Sequence, residues 1–223
     1  MSDTDSFIEE VTEEVRRDRL FALMKKYGWI AAVAVVGIVG GAAFNEWQKA
    51  QDTAAAQQLG DDMIAALEPE GAAARAQALA GVQADGAAAA ALVDLIRAAE
   101  LAEAGDAAGA VSVLDAVAAN GEIPTIYRQV AAFKSLLVQG DSLDEAERRV
   151  RLEGLTQTAP SLRLAAEEQL ALLDIQQAKP EAALERLERI VADAEVTQDL
   201  RRRASQLIVA LGGELEPANP TGQ

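Results

Sequence analysis

Between Tyr27 and Asn45 the chain carries no charge: YGWIAAVAVVGIVGGAAFN. As a helix these roughly 19 residues span about 28 Å, close to the hydrocarbon thickness of a bilayer. Tyr27 and Trp29 stand at one end and Trp47 at the other, where amphipathic rings favour the headgroup depth. Lys25 and Lys26 close the near end. A buried core helix of the same length has no reason to combine aromatic belts with a basic flank. The spacing predicts one transmembrane helix over residues 27–47. A cleaved signal peptide is the competing reading, since Gly40 to Ala43 is small enough for a peptidase. The acidic segment before it, more than two dozen residues long, is unlike a short basic leader, which favours an uncleaved signal anchor.

Direction follows from the basic residues near the helix ends. Arg16, Arg17, Arg19, Lys25 and Lys26 precede the apolar stretch and only Lys49 follows closely, so the expected topology keeps the N-terminus inside and exports the chain from about Glu46. In a bacterium this is a single-pass inner-membrane protein with a periplasmic C-terminal domain. Residues 1–26 form the cytoplasmic segment. There Ser6 and Glu9 make a capping box, and Ile8, Val11 and Val15 form a narrow apolar stripe. Within the anchor, Gly37 and Gly41 lie four apart with Gly40 beside them, a small-xxx-small pattern that lets a second helix approach.

Composition limits the chemistry. Cysteine and histidine are both absent, which removes thiol nucleophiles, thiolate or imidazole metal sites and Ser-His-Asp catalysis. The adjacent acids Asp61-Asp62 and Asp144-Glu145 point about 100° apart on a helix and do not converge, so they read as solvated surface. The net charge of -16 argues against nucleic acid and against a domain lying on anionic lipid. The expectation is a non-enzyme with no cofactor, no metal and no small-molecule substrate.

Aromatic residues make up only 4% of the chain, so a folded core must be built from Ala, Leu, Val and Ile. Ala and Leu are strong helix formers and strand formers are thin outside the anchor, which makes the expected fold class all-α. Residues 48–86 read as a helical linker with N-terminal helices, interrupted at Pro69 and Gly71 and again at Asp85-Gly86. From 87 to 211 a helix–break–helix pattern recurs. One helix ends at Gly105-Asp106, with Leu92, Leu95, Ala98, Ala99 and Ala102 assigned to its apolar side, and its partner runs from Ala107 to Ala119. The second pair breaks at Gly140-Asp141 and the third at Lys179-Pro180, giving spacings of about 35 and about 39 residues. A helix-turn-helix repeat near 34 residues is the tetratricopeptide (TPR) period. Gly105 and Gly140 suit the left-handed helix end, and Asp106 and Asp141 are placed to cap the helices that follow. Leu95, Leu114, Leu136, Leu172 and Leu187 are the expected core. Leu200 to Leu211 would cover the last repeat, and residues 212–223 read as a disordered tail. The predicted architecture is a single N-terminal transmembrane helix followed by a TPR-like helical-repeat solenoid.

Taken together, the acidic N-terminal segment, the Trp-bordered anchor and the Ala-rich degenerate repeats resemble the YfgM-like family of ancillary SecYEG translocon subunits. The resemblance runs from Arg19 to about Leu211, and its most specific stretch is Ala89 to Leu92 through Ala98 and Leu101, then Gly105-Asp106 and Ala110. It implies a periplasmic adaptor beside the SecYEG translocon, linked to a membrane-anchored chaperone of the PpiD type. No catalytic motif comes with it, so no site residue is carried over. The alternative is an accessory structural subunit of another inner-membrane assembly, respiratory or cell-envelope. Co-purification separates the two.

Overall fold

The computed structural model describes the backbone of residues 3–214 and the side chains from Met24 onward, except Ala31 and Ala32. Among the described residues the fold is entirely helical, with no strand. Helix α1 runs unbroken from Asp3 to Leu67, so the expected cytoplasmic segment, anchor and first part of the linker lie on one helix. The Ser6–Glu9 capping box, the Ile8–Val15 stripe and the basic residues Arg16, Arg17 and Arg19 fall outside the described side chains. The expected disordered tail lies outside the described residues from 215 onward.

The chain divides into two units, Met1–Gln58 and Leu59–Gln223. In the second unit the end of α1 is followed by α2 (Ala72–Leu79), α3 (Ala87–Glu103), α4 (Ala107–Ala119) and α5 (Thr125–Gln139). A 3-10 turn, Gly140–Ser142, leads to α6 (Glu145–Thr158) and a second, Pro160–Leu162, to α7 (Arg163–Gln176). Helices α8 (Pro180–Ala192) and α9 (Gln198–Ala210) complete it. The helix ends follow local chemistry. At Gly105, with φ of 84°, the amide of Asp106 donates to the Leu101 carbonyl and that of Gly105 to Ala102, which closes α3 in a Schellman motif. The Asp106 carboxylate then accepts from the Gly109 amide at 2.8 Å and starts α4. The α7 end is closed the same way at Ala178, an alanine held at φ 53°, and Pro180 opens α8 at the position where a missing N–H costs nothing.

All three expected breaks occur, at Gly105, Gly140 and Lys179, and such short connections make consecutive helices antiparallel neighbours. The core is a chain of small clusters. Leu79, Ala66 and Val93 join the end of α1 to α2 and α3. Ala91, Leu95, Ala98, Leu114, Val117 and Ala131 join α3, α4 and α5. Leu136, Leu152, Leu155 and Leu170 span α5 to α7. Ala171, Leu187, Ile190, Ala204 and Ile208 lock α7, α8 and α9. Burial of Ala98 and Ala110, both essentially complete, lets α3 and α4 approach closely.

Three expectations are corrected. Leu172 is only half-buried; Leu170 and Leu173, on either side, hold the core positions, while Leu95, Leu114, Leu136 and Leu187 are buried as expected. Leu92 is 41% exposed and Ala99 is exposed, because α3 buries Leu95 and Ala98 against α4 and α5 and Val93 against α2 and the end of α1, and these two residues lie in neither cluster. Asp141 caps nothing: it lies in the 3-10 turn and pairs with Arg148 at 3.5 Å, whereas Asp144 accepts from the amides of Ala146 and Glu147. The extra turn delays the start of α6, and the cap moves with it.

Candidate functional site

The residues predicted to hold the anchor do not converge; they mark the two ends of a span. From Met24 to Leu67, α1 is long and apolar enough to cross a membrane, and among the described residues its most apolar stretch is exposed. Tyr27, Trp29 and Trp47 are all solvent-facing, at 47%, 65% and 59% exposure. The rise over the 20 steps from Tyr27 to Trp47 puts those two rings about 30 Å apart along the axis. The Lys26 ammonium lies 5.4 Å from the centre of the Tyr27 ring, close enough for the ring face to favour the cation. Phe44 sits 6.0 Å from Trp47 in a tilted arrangement, which adds a second ring to the far border. A Cβ placed at Gly37 or Gly41 would meet no described atom within 4 Å.

The second unit offers a shallow groove of about 380 Å³ between α4, α5 and α6. Its floor is apolar: Ala118, Ala132, Leu136 and Leu155. On one wall the buried Ser135 hydroxyl donates to Asp115 at 2.7 Å and accepts from the Gln139 side chain at 2.9 Å. A polar pocket of about 390 Å³ lies between the start of α7 and the start of α9, bordered by Ser161, Glu195, Thr197 and Arg203. Both surfaces can offer apolar contact and hydrogen bonds. The adjacent acids Asp61, Asp62, Asp144 and Glu145 are exposed, and Asp144 is occupied as a helix cap. Among the described residues no group of three or more acids is placed to hold a metal ion.

A charge network went unread in the sequence. Asp174 on α7 is 2% exposed and accepts from Arg149 of α6 at 2.6 Å and from Arg186 of α8 at 3.0 Å. Arg186 also donates to Glu167 at 2.6 Å, and Arg149 to the Gln177 side chain at 2.9 Å. Burial by itself would push the Asp174 carboxyl up, but the hydrogen bonds and charges of the two arginines outweigh it and hold the carboxyl below its ordinary value. On the far side of α7, Glu168 accepts a bidentate pair from Arg203 of α9 at 2.7 and 2.8 Å. Asp174 alone interrupts the apolar run from Leu170 to Ile175, where an acid is buried only if a cation meets it, but nothing local names that cation.

This arrangement supplies scaffolding and contact surface, with one apolar span on α1. No family model, no curated protein and no solved structure matches the chain, so what it does is argued from these residues.

Proposed function

We propose that this protein is a membrane-tethered interaction module whose exported helical domain acts beside a protein-conducting channel. The observation that carries the reading is the apolar stretch of α1, exposed among the described residues and bordered by Tyr27, Trp29 and Trp47. An exposed apolar face of that size needs lipid or protein around it. The excess of Lys and Arg before Tyr27 supports an N-terminus on the cytoplasmic side and a periplasmic domain. The pairs α3/α4 and α7/α8, with α9 closing the series, support a TPR-like solenoid, a scaffold that binds proteins along its surface. The looser α5/α6 pair departs from that regularity. With the YfgM-like resemblance, these features favour an adaptor at the SecYEG translocon that recruits a PpiD-like chaperone. Confinement to the membrane plane would raise its local concentration near both.

Four experiments test this. A reporter fused after Leu211 should be active only in the periplasm; activity in the cytoplasm would reverse the topology. Crosslinks from native membranes should reach the translocon or the chaperone. If they fall reproducibly on one respiratory or envelope complex instead, the accessory-subunit reading replaces the adaptor. Exchange of the anchor for an unrelated one should leave partner binding intact if the helical domain carries it. Loss of binding in a Gly37→Leu, Gly41→Leu variant would assign the contact to α1.

A further inference from the structure

We infer that the helical domain bends at Gly140, where a lobe of α2–α5 meets a lobe of α6–α9. Three independent observations meet at this joint. First, the backbones of α5 and α6 lie close together at far fewer positions than those of α3 and α4, α4 and α5, or α7 and α8. From α5 only Leu136 is buried in the cluster that spans the joint, with Phe133 half-buried against it. Second, the arginine network that ties α6 to α9 does not reach α5. Arg75 ties α2 to α3 through Glu100 and Glu103, and Arg149, Arg186 and Arg203 tie α6, α7, α8 and α9 together. Among the described residues no ion pair joins one lobe to the other; the side-chain hydrogen bond across the gap runs from Gln129 to the Thr158 carbonyl, at 2.6 Å. Third, Gly140 sits at φ 46°, ψ -126°, a conformation that side chains disfavour, followed by a single 3-10 turn. A Cβ there would touch nothing, so the need for glycine comes from the backbone and not from crowding.

The energetics follow from these contacts. A seam with few buried apolar groups and no cross-lobe charge pairs opens more readily than the interiors it separates. The clusters inside α3–α5 and α7–α9 are untouched by a bend, whereas Leu136 and Phe133 of α5 shift against Leu152, Leu155 and Leu170 in the small cluster that bridges the joint. The groove floored by Ala132, Leu136 and Leu155 lies at the seam, and its width changes with the bend. The joint is therefore a device for varying the shape of the groove while each lobe stays rigid.

The absence of cysteine makes the test direct, because introduced thiols are the only labels. In the full chain, embedded in phospholipid nanodiscs, spin labels at Ser112→Cys and Glu188→Cys report across the joint by pulsed electron resonance. Ala88→Cys with Ser112→Cys, and Glu153→Cys with Glu188→Cys, report within each lobe; all of these positions are exposed. The cross-lobe distance distribution should be about twofold broader than either within-lobe distribution. Gly140→Ala should shift its mean and leave the within-lobe pairs unchanged. Equal widths for all three pairs, or an equal response of all three to Gly140→Ala, would overturn the hinge. No partner is needed for the measurement, so it stands or falls apart from the translocon reading.

Discussion

Helices α2–α5 and α6–α9 fold into the same kind of antiparallel array, yet they are held together differently. In α2–α5 the contacts between helices are almost wholly apolar: Ala91, Ala98, Ala110 and Ala131 allow close approach, and Leu95, Leu114 and Val117 fill the space between. The charged link is Arg75 with Glu100 and Glu103, at the outer side of α2 and α3. In α6–α9 the apolar contacts are of similar quality, with Leu170, Leu173, Leu187 and Ile208 fully buried. But Arg148, Glu168 and Asp174 are buried as well, and the last two are paired to other helices. Apolar packing tolerates many partners; a buried carboxylate tolerates only a correctly placed cation. The charged lobe is thus more exacting about register, and more exposed to changes in pH.

The largest expected effect is common to both lobes and sets the baseline. Leu114→Ala in the first and Leu187→Ala in the second should each cost roughly 2–5 kcal/mol in chemical unfolding. If either costs nothing, the cluster assigned to it is not the core of its lobe.

Asp174→Asn sharpens the contrast. It keeps the shape but removes the charge that satisfies Arg149 and Arg186, and should destabilise α6–α9 by about 2 kcal/mol, since both arginines retain some solvent. Glu100→Gln, the counterpart on α3, faces a single arginine and should cost below about 1 kcal/mol. Residue-level hydrogen exchange localises each loss, and equal losses would erase the distinction between the lobes.

Acid should separate the lobes by sign. Asp174 has its carboxyl lowered in the fold, so the stability it lends is complete above the unfolded value of about 3.9 and fades as pH falls through the lower folded value. Asp94 on α3 is the reverse case: burial, only partly offset by Arg97, raises its carboxyl. Its penalty is felt above the raised value and eases as pH falls through it. Below about pH 4, amides of α6–α9 should lose protection while those of α3 do not, after correction for intrinsic exchange.

The smallest effect is a gain. Ala178 holds a left-handed conformation at the end of α7, where glycine would be unstrained. Ala178→Gly should stabilise α6–α9 by about 0.5–1 kcal/mol, visible as a raised melting midpoint. A loss instead would mean that the Cβ of Ala178 makes contacts worth more than the strain.

What was legible in the sequence was local. The apolar span and its aromatic borders, the helix breaks at Gly105, Gly140 and Lys179-Pro180, and the Asp106 cap depend on residues within a few positions of one another, so periodicity and turn chemistry suffice. The groove and the charge network were not legible, because their members come from different helices. Arg149 and Asp174 are 25 residues apart, and Arg203 and Glu168 are 35 apart. Any of the exposed acids could have been the partner on sequence alone.

The sequence by itself determined that the chain is helical, where most helices begin and end, and that one stretch of it is fit for a bilayer. These follow from backbone preference and from apolar residues in unbroken succession, neither of which needs a neighbour. Only the tertiary structure decided which face of each helix is inward. Val93 displaced Leu92 because the end of α1 and α2 cover that side of α3, and Leu173 displaced Leu172 because α7 is clamped at Asp174 from α6 and α8. It also decided that the array loosens between α5 and α6, since the strength of a seam depends on which side chains meet there, and residues far apart in the chain meet only once it has folded.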